Sequence, residues 1–402
     1  MPDKRALFIS SPIGLGHAQR DVAIAKELRR QVDGIQIDWL AQDPVTRVLE
    51  GEGETIHPMS EHLANESSHF ESESAEHDLH CFHTWRRMDE ILIANFMVFH
   101  DTVTESDPYD LWVADEGWDI DYYLHENPNL KTANYVWLTD FVGLLPNEDA
   151  DDYERFLARD YNEQMIEHID ELPELRDRSL FVGNPEDIVP ESLGDKLPMI
   201  SDWTKQHFEF PGYVTGFDPA EFADREALRA ELGYHPEEKV CIVSVGGSGV
   251  GESLLRRAID AYPLAKEKVP ELRMIVVAGP RIDPSSLPAT DGLEVRPYVH
   301  NLYRHLAACD LAVVQGGLTT AMELTVNKRP FIYFPLEHHF EQRIHVAQRL
   351  DRYRAGRRME YAESPPEVIA EAIAEEVGRE VDYMDVETDG ARRAAERIAD
   401  ML

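Results

Sequence analysis

His17 stands in "SSPIGLGHAQRD", directly after Gly16 and at the head of a run with helical spacing, where an imidazole can face a ligand. Imidazole titrates near neutrality, so it can take the proton of an attacking hydroxyl, a step typically worth about 10² to 10⁴ in rate. A carboxylate behind the ring would fix its tautomer and stabilise its charged form. Asp115, which closes "LWVAD", is the first choice for that partner, with Glu116 and Asp119 as alternatives. A second constellation lies in "VVQGGLTTAMEL". An apolar run ends at Gly316–Gly317, then Leu318, Thr319 and Thr320 open a helix, and Glu323 follows three positions later. Glycines let backbone amides at a helix N-terminus approach an anion closely. A carboxylate one turn further on can accept hydrogen bonds from a pair of sugar hydroxyls.

Two further glycine loops have the same form. "SSPIGLGH" contains Gly14 and Gly16, and "SVGGSGVGES" contains Gly246, Gly247 and Ser248. Neither reads as a dinucleotide or triphosphate motif: Gln19 takes the third glycine position of the first, and no Walker lysine follows. "PLEHHFEQRI" places Glu341 and Gln342 at the start of another helix, an acid and an amide able to accept from and donate to neighbouring hydroxyls. His77, His80, Cys81 and His83 have ligand chemistry, but their spacing matches no zinc template. Segment 61–83, rich in His and Glu, reads as a long solvated loop, and no metal site is assigned.

These residues need elements to hold them. Short apolar runs at 5–11, 34–40, 109–115 and 134–140 alternate with helical stretches at 17–30, 84–104 and 151–169. The rhythm repeats with runs at 239–247, 272–279, 293–299, 310–317 and 330–335. Continuous apolar strands alternating with helices imply parallel sheets covered on both faces, hence an α/β chain of two doubly wound domains. Ligands of such folds bind outside the carboxyl ends of the strands, where all these motifs fall. The pattern breaks at "ISDWTKQHFEFPGYVTGF". That gives an N-terminal domain over 1–206, a second over 207–385, and a C-terminal amphipathic helix over 386–402.

"GG-x-T-T-x-x-E" followed by "P-x-x-x-x-F-E-Q" makes the second half resemble the donor domain of GT-B glycosyltransferases. The likeness is greatest to the family 28 lipid-intermediate N-acetylglucosaminyltransferase of peptidoglycan synthesis and to the UDP-glucuronosyltransferase-like group. The resemblance implies two Rossmann-like domains facing each other across a crevice, with the last helix packing across the junction. It implies an inverting, metal-independent transfer from a UDP-sugar co-substrate to an acceptor hydroxyl, glycan or lipid-linked, with no other cofactor. Position by position, Gly246, Gly247 and Ser248 would line the diphosphate, joined by Gly317 and the amides of Leu318, Thr319 and Thr320. Tyr298 and Val299 would present backbone to the uracil. Glu323 would hold the ribose, and Glu341 and Gln342 the donor sugar. His17 would be the base, oriented by Asp115, in the acceptor loop of Gly14 and Gly16. The chain departs from plant-type members at Gln315, where they carry His, and at His345, usually Asn.

Composition sets the outer bounds. Seventy-seven acids against 39 bases leave a net charge of −38, and only nine of the bases are lysine. A phosphate backbone needs a basic footprint, so nucleic acid is excluded as a partner. The charge reads as the solvated acidic coat of a salt-adapted, halophilic protein, whose self-repulsion salt would screen. No apolar run is long enough to span a bilayer, and the three well-separated cysteines suit a reducing cytoplasm. Six arginines within 343–359 leave weak peripheral membrane contact as an expectation, alongside pairing with the acidic coat.

Overall fold

The computed structural model describes residues 4–402. The chain divides into two compact units. The first comprises residues up to His69, Cys81–Gly216 and Glu387–Leu402, and the second Phe70–His80 and Phe217–Val386.

The first unit is built on β1 (Arg5–Ser10), β2 (Gln36–Leu40), β3 (Thr55–Ile56), β4 (Leu111–Asp115), β5 (Asn134–Thr139), β6 (Arg178–Val182) and β7 (Glu209–Gly212). They form one sheet in the order β3-β2-β1-β4-β5-β6-β7, every neighbour parallel. All five residues of β4 are buried, as a central strand covered on both faces requires. Strand order reverses between β1 and β4, and Ser10 pairs with Asp115 in register. The loop carrying Gly14 and the carboxyl end of β4 therefore meet at the topological switch point.

The second unit repeats the plan with β8 (Lys239–Ser244), β9 (Leu272–Val277), β10 (Glu294–Arg296), β11 (Leu311–Val314), β12 (Phe331–Tyr333) and β13 (Arg357–Arg358). Their order is β10-β9-β8-β11-β12-β13, again all parallel. Its switch point lies between β8 and β11, where Ser244 pairs with Val314. A core of Val243, Leu254, Ile259, Val276, Val313 and Ile332 lies between this sheet and its helices.

Several elements depart from the sequence expectation. The first unit continues through β7 to Gly216, past 206, because β7 hydrogen-bonds to β6 as the last strand of that sheet. Segment 61–83 is not one loop. It contains a helix over Glu66–Glu73 and the start of another at Cys81–Arg86, and Phe70, Leu79, Cys81 and Phe82 are buried. The stretch 84–104 breaks at Arg87–Met88, and its main helix is Asp89–Glu105. The basic stretch after Gln342 forms a π-helical turn, the short helix Ala347–Tyr353 and β13. Four of its six arginines pair with acids: Arg343 and Arg358 with Glu360, Arg357 with Glu375, Arg354 with Asp382. The final helix, Gly390–Ala399, packs against helix Leu15–Gln31 and β7 in the first unit. A side chain at Gly390 would collide with the Tyr213 carbonyl, so glycine is needed there.

Candidate active site

In the first unit, His17 occupies the opening turn of helix Leu15–Gln31, whose N-cap is Gly14. Ala18, Val22, Ile24, Ala25 and Leu28 bury one face of that helix and fix its axis over the sheet. The His17 Nδ1 lies 3.2 Å from Asp115 Oδ2, and its Nε2 lies 4.0 Å from Glu116 Oε2. Asp115 is thus the acid placed to orient the ring, and Glu116 flanks its other nitrogen. Asp119 faces elsewhere, toward Glu66, and those two carboxyls are raised to about 6 and about 8, desolvation being the chief cause in each.

Arg20, which sequence reasoning missed, completes the cluster. Its Nε donates to Asp115 Oδ2 at 2.5 Å, its Nη1 donates to Asp140, and its Nη2 lies 2.8 Å from His17 Nδ1. The sequence did carry a signal: an arginine three residues past the histidine, on the helix face whose other buried residues are apolar apart from Asp21. Burial opposes charge on His17, yet the carboxylates of Asp115 and Glu116 outweigh both burial and Arg20, and its pKa is pushed up to about 9. Asp115 is held well below the usual carboxylate range by Arg20 and His17 despite its burial. Burial, with Asp140 nearby, lifts Glu116 to about 7. The His17 imidazole is therefore mostly charged at neutral pH, and it is its neutral fraction, growing toward pH 9, that can take an acceptor proton.

Beside this cluster the first unit contains a cavity of about 610 Å³. Its wall is aromatic: Trp85 lies tilted against Trp118, Trp118 meets Trp137 edge to face, and Tyr161 and Phe141 pack against them. Ile13, adjoining Gly14, lines it, as does Thr139, whose hydroxyl donates to Glu116 at 3.1 Å. The two lining arginines are engaged, Arg86 with Asp89 and Arg176 with Asp121. Such a volume and lining suit an apolar organic ligand.

The donor residues named from sequence all lie in the second unit, each at the carboxyl end of a strand. Gly246, Gly247 and Ser248 follow β8, Tyr298 and Val299 follow β10, Gly317 to Glu323 follow β11, and Glu341 and Gln342 follow β12. The loops touch one another. Gly246 approaches Gly279 so closely that a side chain at Gly279 would strike the Gly246 carbonyl. Gln315 turns its amide nitrogen to the carbonyls of Val245 at 2.7 Å and Val250 at 3.2 Å. Gly316, at φ +111°, packs on Tyr333 and Pro335. Gly317 caps helix Leu318–Val326, and nothing lies within 4 Å of the Cβ position it leaves open. The amides of Leu318, Thr319 and Thr320 precede that helix's first internal acceptor pattern and point out of its end.

Glu323 falls in the second helical turn. It is 4 % exposed, its Oε1 has no hydrogen-bond partner among the described residues, and burial lifts its pKa to about 8. A buried, unsatisfied carboxyl is costly and marks a place where a ligand can supply the missing donors. Gln342 uses its carbonyl internally, accepting from Leu336 N at 3.0 Å, which leaves its NH₂ group to offer. Glu341 opens a π-helical turn, Glu341–Val346, a distortion frequent at functional sites and invisible to helical periodicity. The Tyr298 hydroxyl is 3.2 Å from His300 Nδ1.

Residues 241–400 match the glycosyltransferase family 28 C-terminal domain. An uncharacterized glycosyltransferase of Methanopyrus kandleri is 28 % identical over 185 residues, 46 % of this chain and 52 % of that protein. The UDP-N-acetylglucosamine--N-acetylmuramyl-(pentapeptide) pyrophosphoryl-undecaprenol N-acetylglucosamine transferase of Symbiobacterium thermophilum is 30 % identical over 118 residues, 28 % of this chain and 31 % of its own. The matched segments thus span about half or less of these relatives' lengths. Arabidopsis thaliana UGT89C1, solved with UDP, superposes with a TM-score of 0.63 at 14 % identity, covering 99 % of this chain and 100 % of that one. The fold is the two-sheet α/β arrangement of GT-B glycosyltransferases, and most of the segment that matches a glycosyltransferase domain, 241–386, lies in the second unit.

Proposed function

We propose that the protein is an inverting glycosyltransferase that moves a sugar from a UDP-sugar to the hydroxyl of a neutral, apolar acceptor. The observation that carries this reading is His17 hydrogen-bonded to a buried Asp115 beside a 610 Å³ aromatic cavity in the same unit. The acceptor's apolar part fills that cavity. An anionic head group is disfavoured inside it, because Arg86 and Arg176 already serve Asp89 and Asp121. His17 Nε2 takes the hydroxyl proton as oxygen attacks the anomeric carbon, and Asp115 and Glu116 stabilise the imidazolium that forms. The first-turn amides of Leu318, Thr319 and Thr320, with the Gly246–Ser248 loop, hold the departing diphosphate without needing a metal. Glu323 accepts from the ribose hydroxyls, Tyr298 and Val299 meet the uracil, and Glu341 and Gln342 the transferred sugar.

An epimerase or nucleotide-sugar hydrolase would need the donor loops but no apolar cavity, and a purely binding subunit would need no basic histidine. The test is a thermal-shift panel with UDP, GDP, dTDP, ADP and NAD in molar KCl, followed by transfer assays with apolar alcohols and phenols. UDP at a hundred times its Kd should stabilise by about 2.7 kcal/mol. His17→Ala should keep that shift while losing about 10² to 10⁴ in turnover. A shift with NAD in place of UDP, or undiminished turnover in His17→Ala, would overturn the reading.

A further inference from the structure

Phe70–His80 leaves its sequence neighbours and packs with the second unit. It is held there by backbone pairing: Leu79 N donates to Glu337 O at 3.0 Å, and Glu337 N donates to His77 O at 2.9 Å. His77 itself turns inward, its Nε2 2.9 Å from the Phe334 carbonyl, and Cys81 is buried in another helix. Neither is placed to ligate. His80 behaves differently. The pairing brings Asp78 and His80 against His338, which the sequence sets 258 positions beyond His80.

We propose that Asp78, His80 and His338 bind a divalent transition-metal ion of the zinc type. One ligand atom from each lies within 4.8 Å of the other two. Asp78 Oδ1 is 2.7 Å from His338 Nδ1, and Asp78 Oδ2 is 3.6 Å from His80 Nε2. These separations bracket the edge of about 3.4 Å that a tetrahedron with 2.0–2.1 Å bonds requires. The imidazoles lie stacked, centroids 3.9 Å apart, so both present nitrogen toward the same carboxylate. All three side chains are only partly buried, so an ion can enter and keep solvent at an open position. Two imidazoles and one carboxylate are the donor set of borderline cations and a poor one for magnesium or calcium.

The ion's place in the fold suggests its role. His338 precedes the turn that carries Glu341 and Gln342. The 70–80 segment also reaches the glycine loop after β8. Ser253 Oγ donates to Glu76 O at 2.6 Å, and Glu71 pairs with Arg281 at 2.8 Å beside Gly249. Cross-linking Asp78 and His80 to His338 ties this segment to the candidate donor loops as a structural clamp. A further histidine–carboxylate group, His17 with Asp115 and Glu116, is a poorer cation site because the Arg20 guanidinium already occupies Asp115.

Zinc and cobalt are titrated into chelator-treated full-length protein in molar KCl and followed by calorimetry, melting temperature and cobalt absorption. One ion per chain is expected, with a rise in melting temperature. Asp78→Ala, His80→Ala and His338→Ala should each weaken binding by more than the roughly 10- to 100-fold that loss of an outer-sphere partner costs. His338→Cys retains a ligand, so its cobalt complex should gain a sulfur-to-cobalt charge-transfer band, a signal that arises only with that residue on the metal. Exposed His235 is the control for scattered surface binding. Weak binding that falls equally in His235→Ala, binding lost in His17→Ala but kept in His338→Ala, or a Cys variant without the band would each overturn the proposal.

Discussion

Glu323 faces two demands that pull in opposite directions. Packing in a largely buried helix favours its neutral form and holds its pKa near 8, while the ribose hydroxyls of the proposed donor would, as hydrogen-bond donors, favour the carboxylate. Between its ordinary value of 4.5 and about 8 the folded chain carries a proton here that the unfolded chain lacks, so this group's contribution to stability falls as pH rises. Glu323→Gln removes that penalty. Each pH unit between the ordinary and the raised value is worth about 1.4 kcal/mol, so the variant should be more stable than the wild type at pH 9 by one to a few kcal/mol. It should also lose the UDP-induced shift. In the wild type, UDP affinity should strengthen as pH rises toward 8, since binding draws on the ionised form. Calorimetric titration with UDP across that range checks the sign, and affinity that weakens with pH would remove Glu323 from the ribose.

Helix Leu15–Gln31 has two jobs: its apolar face packs on the sheet, and its first turns carry His17 and Arg20. Arg20 is 4 % exposed and binds Asp115 and Asp140 together, so deleting it strands two buried acids. Arg20→Ala should destabilise by about 3–5 kcal/mol, measured by denaturant unfolding, as removal of one member of a buried ion pair does. Arg20→Lys should recover only part of this, because an ammonium lacks the fork that reaches both partners. The sequence reading captured the part of this arrangement that periodicity encodes. The apolar runs Leu111–Ala114 and Leu311–Val314 are continuous; the first leads straight into Asp115 and the second into the loop of Gly316 and Gly317. What it missed has physical causes. β7 contains Pro211, which argues against a strand yet is tolerated at a sheet edge, where one amide needs no partner. β13 is two arginines, too short to show a period. The contacts of Arg20 with Asp140, and of His338 with Asp78, join residues over a hundred positions apart, and only the sheet topology brings them together.

At the scale of the whole molecule, two electrostatic effects act together and can be separated. Surface repulsion follows from the net charge of −38 and is screened as the Debye length shrinks to about 3 Å in molar salt. The buried groups are screened far less, and above pH 6.5 they act in one direction. Glu66 and Glu323 are raised to about 8 and Glu116 to about 7, so the folded chain keeps protons that the unfolded chain has released. His17 adds to this: with a folded pKa of about 9 its stabilisation is complete below 6.5 and lost as pH climbs through 9. Below 6.5 the opposite group enters. His77, His305 and His339 are lowered to about 4 by burial, so their contribution falls as pH drops from 6.5 through 4 and offsets the carboxyls there. Stability should therefore rise steeply with KCl at fixed pH, and in molar KCl it should still decline from pH 6.5 to 9. Each raised group contributes up to about 1.4 kcal/mol per pH unit to that decline. Melting temperatures over a salt-by-pH grid read both effects. A pH dependence that vanished in molar salt would assign it to the surface and withdraw the raised values of His17 and Glu323; one that persists, and flattens in Glu323→Gln, locates it at the candidate site.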